Sequence, residues 1–267
     1  MPVENNSGRG TRSVEEDPTY FELHAYSGAT KHMGGLSTTK ELIELCGIDE
    51  SKYVLEVGCG TGATARYLAK KVGCRVLGVD IRASMVERAT ERATRARVED
   101  RVHFRVADAT DLPFEDGSFD VVLVESVTTF IEDKSAAIGE YARVVKPGGC
   151  VGLNEEIWHQ TPVPPEIVQY ASETWDVQAK ILTLEGWVEL LKASGLTVNV
   201  ASRRTFSAMT DFSELARYGC RDFLTILWRS MRLYFTSAAF RKYMRERRRL
   251  PKGIWDYLGY ALLVGRK

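Results

Sequence analysis

The stretch Val54-Leu55-Glu56-Val57-Gly58-Cys59-Gly60-Thr61-Gly62 leaves the chain few ways to fold. Val54, Leu55 and Val57 form a short apolar run, the pattern of a parallel strand covered on both faces. The alternating glycines that follow let the backbone turn sharply and put no side chain between it and a ligand. Residues 63–72 then carry Ala65, Leu68, Ala69 and Val72 at helical spacing. The turn therefore sits at a helix N-terminus, where backbone N–H groups lack intrahelical partners. Strand, glycine turn and helix in this order make a nucleotide-sized seat at the C-terminal end of a strand.

Residues 75–79 read as a second strand that ends in Asp80, 22 residues after Gly58. A carboxylate at that place accepts hydrogen bonds from both hydroxyls of a ribose, and Ile81 beside it can pack on an adenine face. Dinucleotides share this arrangement, and Gly58, Gly60 and Ala63 can be fitted to the dinucleotide glycine pattern, which alone is a weak signal. Glu56 argues the other way. Two residues before the first glycine, its charge would repel a pyrophosphate and attract an ammonium group.

Further along, residues 85–97 make a helix with Val86, Ala89 and Ala93 as its buried stripe, and residues 102–106 alternate as a third strand that stops at Ala107-Asp108-Ala109. Leu112-Pro-Phe-Glu-Asp-Gly-Ser-Phe-Asp120 leads into a fourth strand, residues 121–124, which delivers Glu125, Ser126 and Val127 to the edge that holds Gly58 and Asp80. A helix over 136–145, the break Lys146-Pro-Gly-Gly149 and a fifth strand over 150–154 come next. Thr183 caps and Gly195 ends another helix, residues 196–201 alternate as strand six, and residues 257–264 form the last strand.

Taken together, the glycine turn, Asp80, the lead into strand four and the Pro-Gly-Gly turn resemble the class I S-adenosylmethionine-dependent methyltransferases of small molecules. The resemblance covers residues 20–267, is strongest over 54–154, and implies an α/β Rossmann-like, doubly wound sheet of seven strands with the last antiparallel. It implies S-adenosyl-L-methionine as cofactor, with Gly58 and Gly60 along its methionine part, Glu56 near its amino group, and Asp108 and Ala109 bounding the adenine. Glu125 is expected to pair with the cofactor's ammonium or to orient the acceptor. A leading segment ahead of the first strand looks like the family's N-terminal cap, which makes Tyr20 and Tyr26 candidates for cofactor or acceptor contact; packing of a helix on the sheet is the plainer role for both. Asp108 as a turn cap and His32 as a surface or capping residue are the corresponding plain readings. The implied reaction is in-line displacement of a methyl group onto a small-molecule acceptor, with the acceptor atom (O, N or C) open. The catalytic residue is unknown; His159, Glu155, Glu156 and Tyr26 are the candidate bases, and a base is needed only for an acceptor protonated at neutral pH. A nicotinamide-dependent oxidoreductase and a non-catalytic S-adenosylmethionine-binding protein are the alternatives.

The expected organisation is a disordered tail over 1–17, a cap over 18–50 in which Ser37 or Thr38 caps a helix with Glu41 as reciprocal partner, a core over 51–205 and 257–267, and a helical insertion over 206–256. No apolar run approaches the roughly 18 residues of a membrane span, and the polar first 18 residues lack the apolar core of a signal peptide. Five scattered cysteines without Cys-x-x-Cys spacing favour a reducing cytoplasm and no structural metal. Net charge is zero, yet residues 203–252 hold thirteen Lys plus Arg against four Asp plus Glu. Interleaved with Trp228, Met231 and Phe235, these cations suit a lid over the pocket, a homodimer contact, or a peripheral membrane surface or lipid-like acceptor. Nucleic acid is disfavoured as acceptor, because strand four ends in Glu-Ser-Val instead of an Asn or Asp followed by Pro-Pro and an aromatic.

Overall fold

Apolar runs in the middle of the chain become the central strands of one sheet. The computed structural model describes residues 26–27, 32–175, 180–205, 220–246 and 250–267. β1 (Tyr53–Val57) pairs in parallel with β2 (Arg75–Asp80) on one side and with β4 (Phe119–Glu125) on the other. β3 (Val102–Val106) lies outside β2, and β5 (Val145–Trp158) outside β4, all parallel. The final strand, β8 (Leu258–Arg266), runs antiparallel between β5 and β7 (Thr197–Arg204), so the order is β3-β2-β1-β4-β5-β8-β7. A two-residue strand, β6 (Leu182–Thr183), pairs with the end of β5 and raises the count of the expected sheet by one.

Alternation along the strands sends side chains to two separate cores. Leu55, Val122 and Val124 face α4 (Lys134–Val144) and α6 (Leu184–Ala193), where Ile138, Tyr141 and Trp187 are fully buried. Val54, Val121 and Leu123 point the opposite way, onto α1 (Gly35–Cys46), α2 (Ala63–Tyr67, continued by a π-helical turn Leu68–Val72) and α3 (Ala83–Ala96). Each buried Leu, Val or Ile contributes on the order of 1.5–3 kcal/mol, so this two-sided sandwich holds the loops at the strand ends rigidly. Thr183 caps α6 as expected, accepting from the Gly186 N–H at 3.2 Å.

Several local expectations are corrected. α1 starts at Gly35 behind Gly34, whose φ is 76°, and has no side-chain cap; Ser37 donates back to the Gly34 carbonyl, Thr38 is buried, and Glu41 pairs with Arg204 instead of closing a capping box. Val86 is only half-buried in α3, and Arg92 takes a place in its buried face. Strand five is longer than the apolar run, because Glu155, Glu156, Ile157 and Trp158 continue the ladder with β8. After α5 (Pro165–Trp175), the segment between β7 and β8 contains α7 (Cys220–Thr236), α8 (Ala238–Glu246) and α9 (Ile254–Tyr257). Among the described residues no helix is long and apolar enough to cross a membrane.

Candidate functional site

The glycine turn is held in a conformation that other residues resist. Gly58, Gly60 and Gly62 have φ of 69°, 51° and 70°, the left-handed region that costs a side chain roughly 1–2 kcal/mol. A Cβ on Gly58 would lie 2.2 Å from a Val127 methyl, so the turn has no room there for alanine. Asp80 clamps the turn from the next strand: one carboxylate oxygen accepts from the Gly60 N–H at 2.9 Å, the other from the Arg82 N–H at 3.0 Å. Burial lifts the Asp80 carboxyl above its usual range, and those two N–H groups offset only part of that cost.

Around this clamp the strand ends gather the other expected residues. Glu56 is buried at the end of β1, 6% exposed, one residue from the turn. Ile81, just past β2, stands 64% exposed, a large apolar side chain with one face open. Past β3, Ala109 is buried, while Asp108 is exposed and accepts through one oxygen from the Thr110 N–H at 2.8 Å and its hydroxyl at 2.7 Å, which is the turn-capping role. Tyr26 packs against Leu233 and Phe240 of α7 and α8 rather than joining a helix to the sheet. Tyr20 lies outside the described residues.

Glu125, at the end of β4, is already occupied. Thr39 of α1 donates to one of its oxygens at 2.8 Å, and Thr64 of α2 donates to the other at 2.9 Å. His32 is buried beside it, its Nε2 3.1 Å from the Thr39 hydroxyl and 3.6 Å from a Glu125 oxygen. This corrects the surface reading of His32. Asn154 of β5 donates at 2.7 Å to the Met33 carbonyl, and Ser126, with φ of 54°, accepts from the Met33 N–H. The segment ahead of α1 is thereby stitched to the ends of β4 and β5. Spacing along the chain gave no sign of this network, since its members are up to 122 residues apart.

Two adjacent carboxyls on β5 face opposite sides of the sheet. Glu155 is fully buried and accepts from the Thr128 and Thr129 N–H groups at 2.8 and 3.0 Å, from the Val127 N–H at 3.3 Å and from the Thr129 hydroxyl at 2.8 Å. It is a structural anchor for the 128–130 turn. Glu156 shares the face of Asn154; it is 4% exposed, and its Oε2, like Asn154 Oδ1, has no hydrogen-bond partner among the described residues. Burial first, and the Glu155 carboxylate second, push the Glu156 carboxyl up to about 7. His159, another candidate base, is instead tied to the Arg204 carbonyl at 2.9 Å.

The chemistry of these groups fits S-adenosylmethionine. A buried acid suits an ammonium, a side-chain-free turn admits close approach, a paired carboxylate suits a diol, and an exposed isoleucine suits a flat base. Residues 55–153 match the methyltransferase domain family. The chain is 34% identical over 178 residues to phosphoethanolamine N-methyltransferase 1 of Arabidopsis thaliana, a match that takes in 64% of this chain and 34% of that protein. It thus spans about a third of the plant protein's length. It is also 29% identical over 277 residues to the 27-O-demethylrifamycin SV methyltransferase of Amycolatopsis mediterranei, covering 100% of this chain and 98% of that one. In fold it is similar to the [4+2]-cyclase SpnF, with a TM-score of 0.73 at 20% identity over 94% of this chain and 97% of that one. Residues 55–153 thus form a methyltransferase domain, the acid beside the glycine turn disfavours the pyrophosphate of a nicotinamide dinucleotide, and over its full length the chain is similar to S-adenosylmethionine-dependent methyltransferases of small molecules.

Proposed function

We propose that the protein moves a methyl group from S-adenosyl-L-methionine to a small-molecule acceptor that carries a hydrogen-bond donor, and that Glu156 receives the acceptor's proton. The observation that carries the reading is the Gly58–Gly62 turn clamped by Asp80 with Glu56 buried beside it. When bound, the cofactor supplies an activated methyl group on a positively charged sulfur. The chain's task is alignment and exclusion of water, which supplies much of the rate for a donor already activated.

In this reading Glu56, Gly58 and Gly60 hold the amino-acid portion, Asp80 the ribose, and Ile81, Asp108 and Ala109 the adenine. Glu125 acts through Thr39, Thr64 and His32 to fix the wall of the acceptor side. Asn154 Oδ1 and Glu156 Oε2, orphaned on one face of β5, support an acceptor with O–H or N–H groups. The names of similar proteins span N-, O- and C-methylation, so the acceptor atom stays open, and the orphaned polar atoms favour N or O. Since a cyclase shares the fold, turnover is the decisive property. Incubation with isotopically methyl-labelled donor and a small-molecule cell extract should give S-adenosylhomocysteine and one labelled product by mass spectrometry. Binding without turnover would leave a non-catalytic S-adenosylmethionine-binding protein.

Leu224, Leu227, Trp228, Met231 and Phe235 of α7 are exposed, an apolar stripe that supports a second copy of the chain as partner. Light scattering that gives a monomer mass at all concentrations would remove that partner. Cytoplasmic residence rests on the cysteine pattern alone.

Glu156 also makes a pH prediction. Its folded pKa lies above the ordinary glutamate value of about 4.3, so the fold favours the protonated form. Its stabilising contribution is full below that ordinary value and is lost as pH rises through about 7. The displacement corresponds to a loss on the order of 3–4 kcal/mol, at about 1.4 kcal/mol per unit. Wild-type protein should therefore lose more stability between pH 5 and pH 8, by urea denaturation, than Glu156→Gln. Parallel pH profiles for the two would reject the assignment.

A further inference from the structure

A polar cavity lies between α3 and α7. α3 presents Arg88, Arg92 and Arg95 toward it, and α7 presents Asp222, Thr225 and Arg229, around a volume of about 250 Å³. That is slightly below the roughly 300–1,000 Å³ of pockets that take drug-sized ligands, and it suits a smaller group.

The charges in it do not balance. Asp222 is already shared by three guanidinium groups, with Arg66 at 3.4 Å, Arg92 at 3.7 Å and Arg95 at 3.6 Å. Arg88 Nη1 is buried without a hydrogen-bond partner among the described residues, and neither Arg88 nor Arg229 takes part in an ion pair among them. Burial, followed by the nearby Arg229 cation, lowers the Arg88 guanidinium from its usual value. Counting the lining, four arginines oppose Glu91 and Asp222, which leaves two positive charges. Two cations forced together in a half-enclosed space are costly unless an anion joins them. A planar guanidinium fork matches the oxygens of a tetrahedral oxyanion, and a surplus of two matches a dianion.

The cavity also touches the back of the glycine turn. Arg92 donates to the Thr61 hydroxyl at 2.5 Å, and Arg66 donates through Nε to the Gly62 carbonyl at 3.0 Å. Both arginines converge on Asp222, so α7 is tied to the turn through this cluster.

We propose that the cavity between α3 and α7 binds a dianionic phosphoryl group through Arg88 and Arg229, docking the insertion against the core. The site is separate from the methyl-transfer reading and does not depend on it.

The test uses the full chain, without cofactor, at constant ionic strength held with sodium acetate. Inorganic phosphate and glycerol 3-phosphate are titrated separately by calorimetry, with sulfate and chloride as comparison anions. Saturable binding of one phosphoryl group per chain is expected, weakened at least tenfold in Arg88→Gln and in Arg229→Gln. Arg245→Gln, which removes an exposed cation of α8 outside the cavity, should change it less than twofold. Tighter binding of the ester would identify an esterified phosphate as the source; equal or tighter binding of the inorganic ion would identify free phosphate. A rise in thermal midpoint with phosphate in wild type, absent in Arg88→Gln, gives a second reading that does not rely on calorimetric heat. Absence of saturable binding up to tens of millimolar, equal binding of chloride, or equal weakening by all three substitutions would overturn the proposal.

Discussion

Asp80→Ala is expected to weaken S-adenosylmethionine binding about a hundredfold or more, the largest effect on the site of any single truncation. The carboxylate does two things at once. It fixes the Gly60 and Arg82 N–H groups, and in the proposed reading its remaining lone pairs accept from the ribose diol. Hydrogen bonds to a charged acceptor are worth about 1.5–3 kcal/mol each, so losing two from the ligand side alone costs a factor of roughly 10²–10⁴. Burial raises the Asp80 carboxyl, which means the ionised group is held in the free fold at a cost. Its removal should accordingly hurt binding far more than thermal stability. Calorimetric titration with S-adenosylhomocysteine beside a thermal melt of the same sample reads both. A variant that binds within threefold of wild type would show that the ribose is held elsewhere.

Glu155→Ala should destabilise the fold by about 3–5 kcal/mol, because it leaves several buried donors without their acceptor. The side chain is fully buried and accepts from three backbone N–H groups and one hydroxyl in the turn after β4. Without it those donors face the interior unsatisfied, each costing about 1–3 kcal/mol. Lys134, which donates to the Thr129 and Ile131 carbonyls from the other side, would keep part of the turn and hold the loss below the full sum. Urea unfolding monitored by circular dichroism checks the value. A change under 1 kcal/mol would mean that water replaces the carboxylate without cost.

The sheet was legible because its strands announce themselves. Val54, Leu55 and Val57 and the run Val121–Val124 put apolar side chains on both faces, and Gly58 marks a turn position that only glycine fits, as the contact between a Gly58 Cβ and Val127 demonstrates. Asp80 was found by its distance from Gly58, a spacing set by one helix and one strand. The far side of the site was not legible. Glu155 and Glu156 stand in the sequence as two equivalent candidate bases after a strand, and only the ladder with β8 shows that both are interior. His32, Thr39, Thr64, Glu125 and Asn154 come from five elements, so no local pattern joins them. Charge counting over residues 203–252 exposed the surplus of arginine, yet it took the pairing of α3 with α7 to place Arg88 and Arg229 in one cavity.

Parallel calorimetric titrations of the wild-type chain with S-adenosylmethionine and with NAD address the seat at the glycine turn most directly. Micromolar binding of the sulfonium donor at one site per chain, with no heat from the dinucleotide at a hundredfold higher concentration, is the predicted outcome. Binding of NAD, or no binding of S-adenosylmethionine, would contradict it.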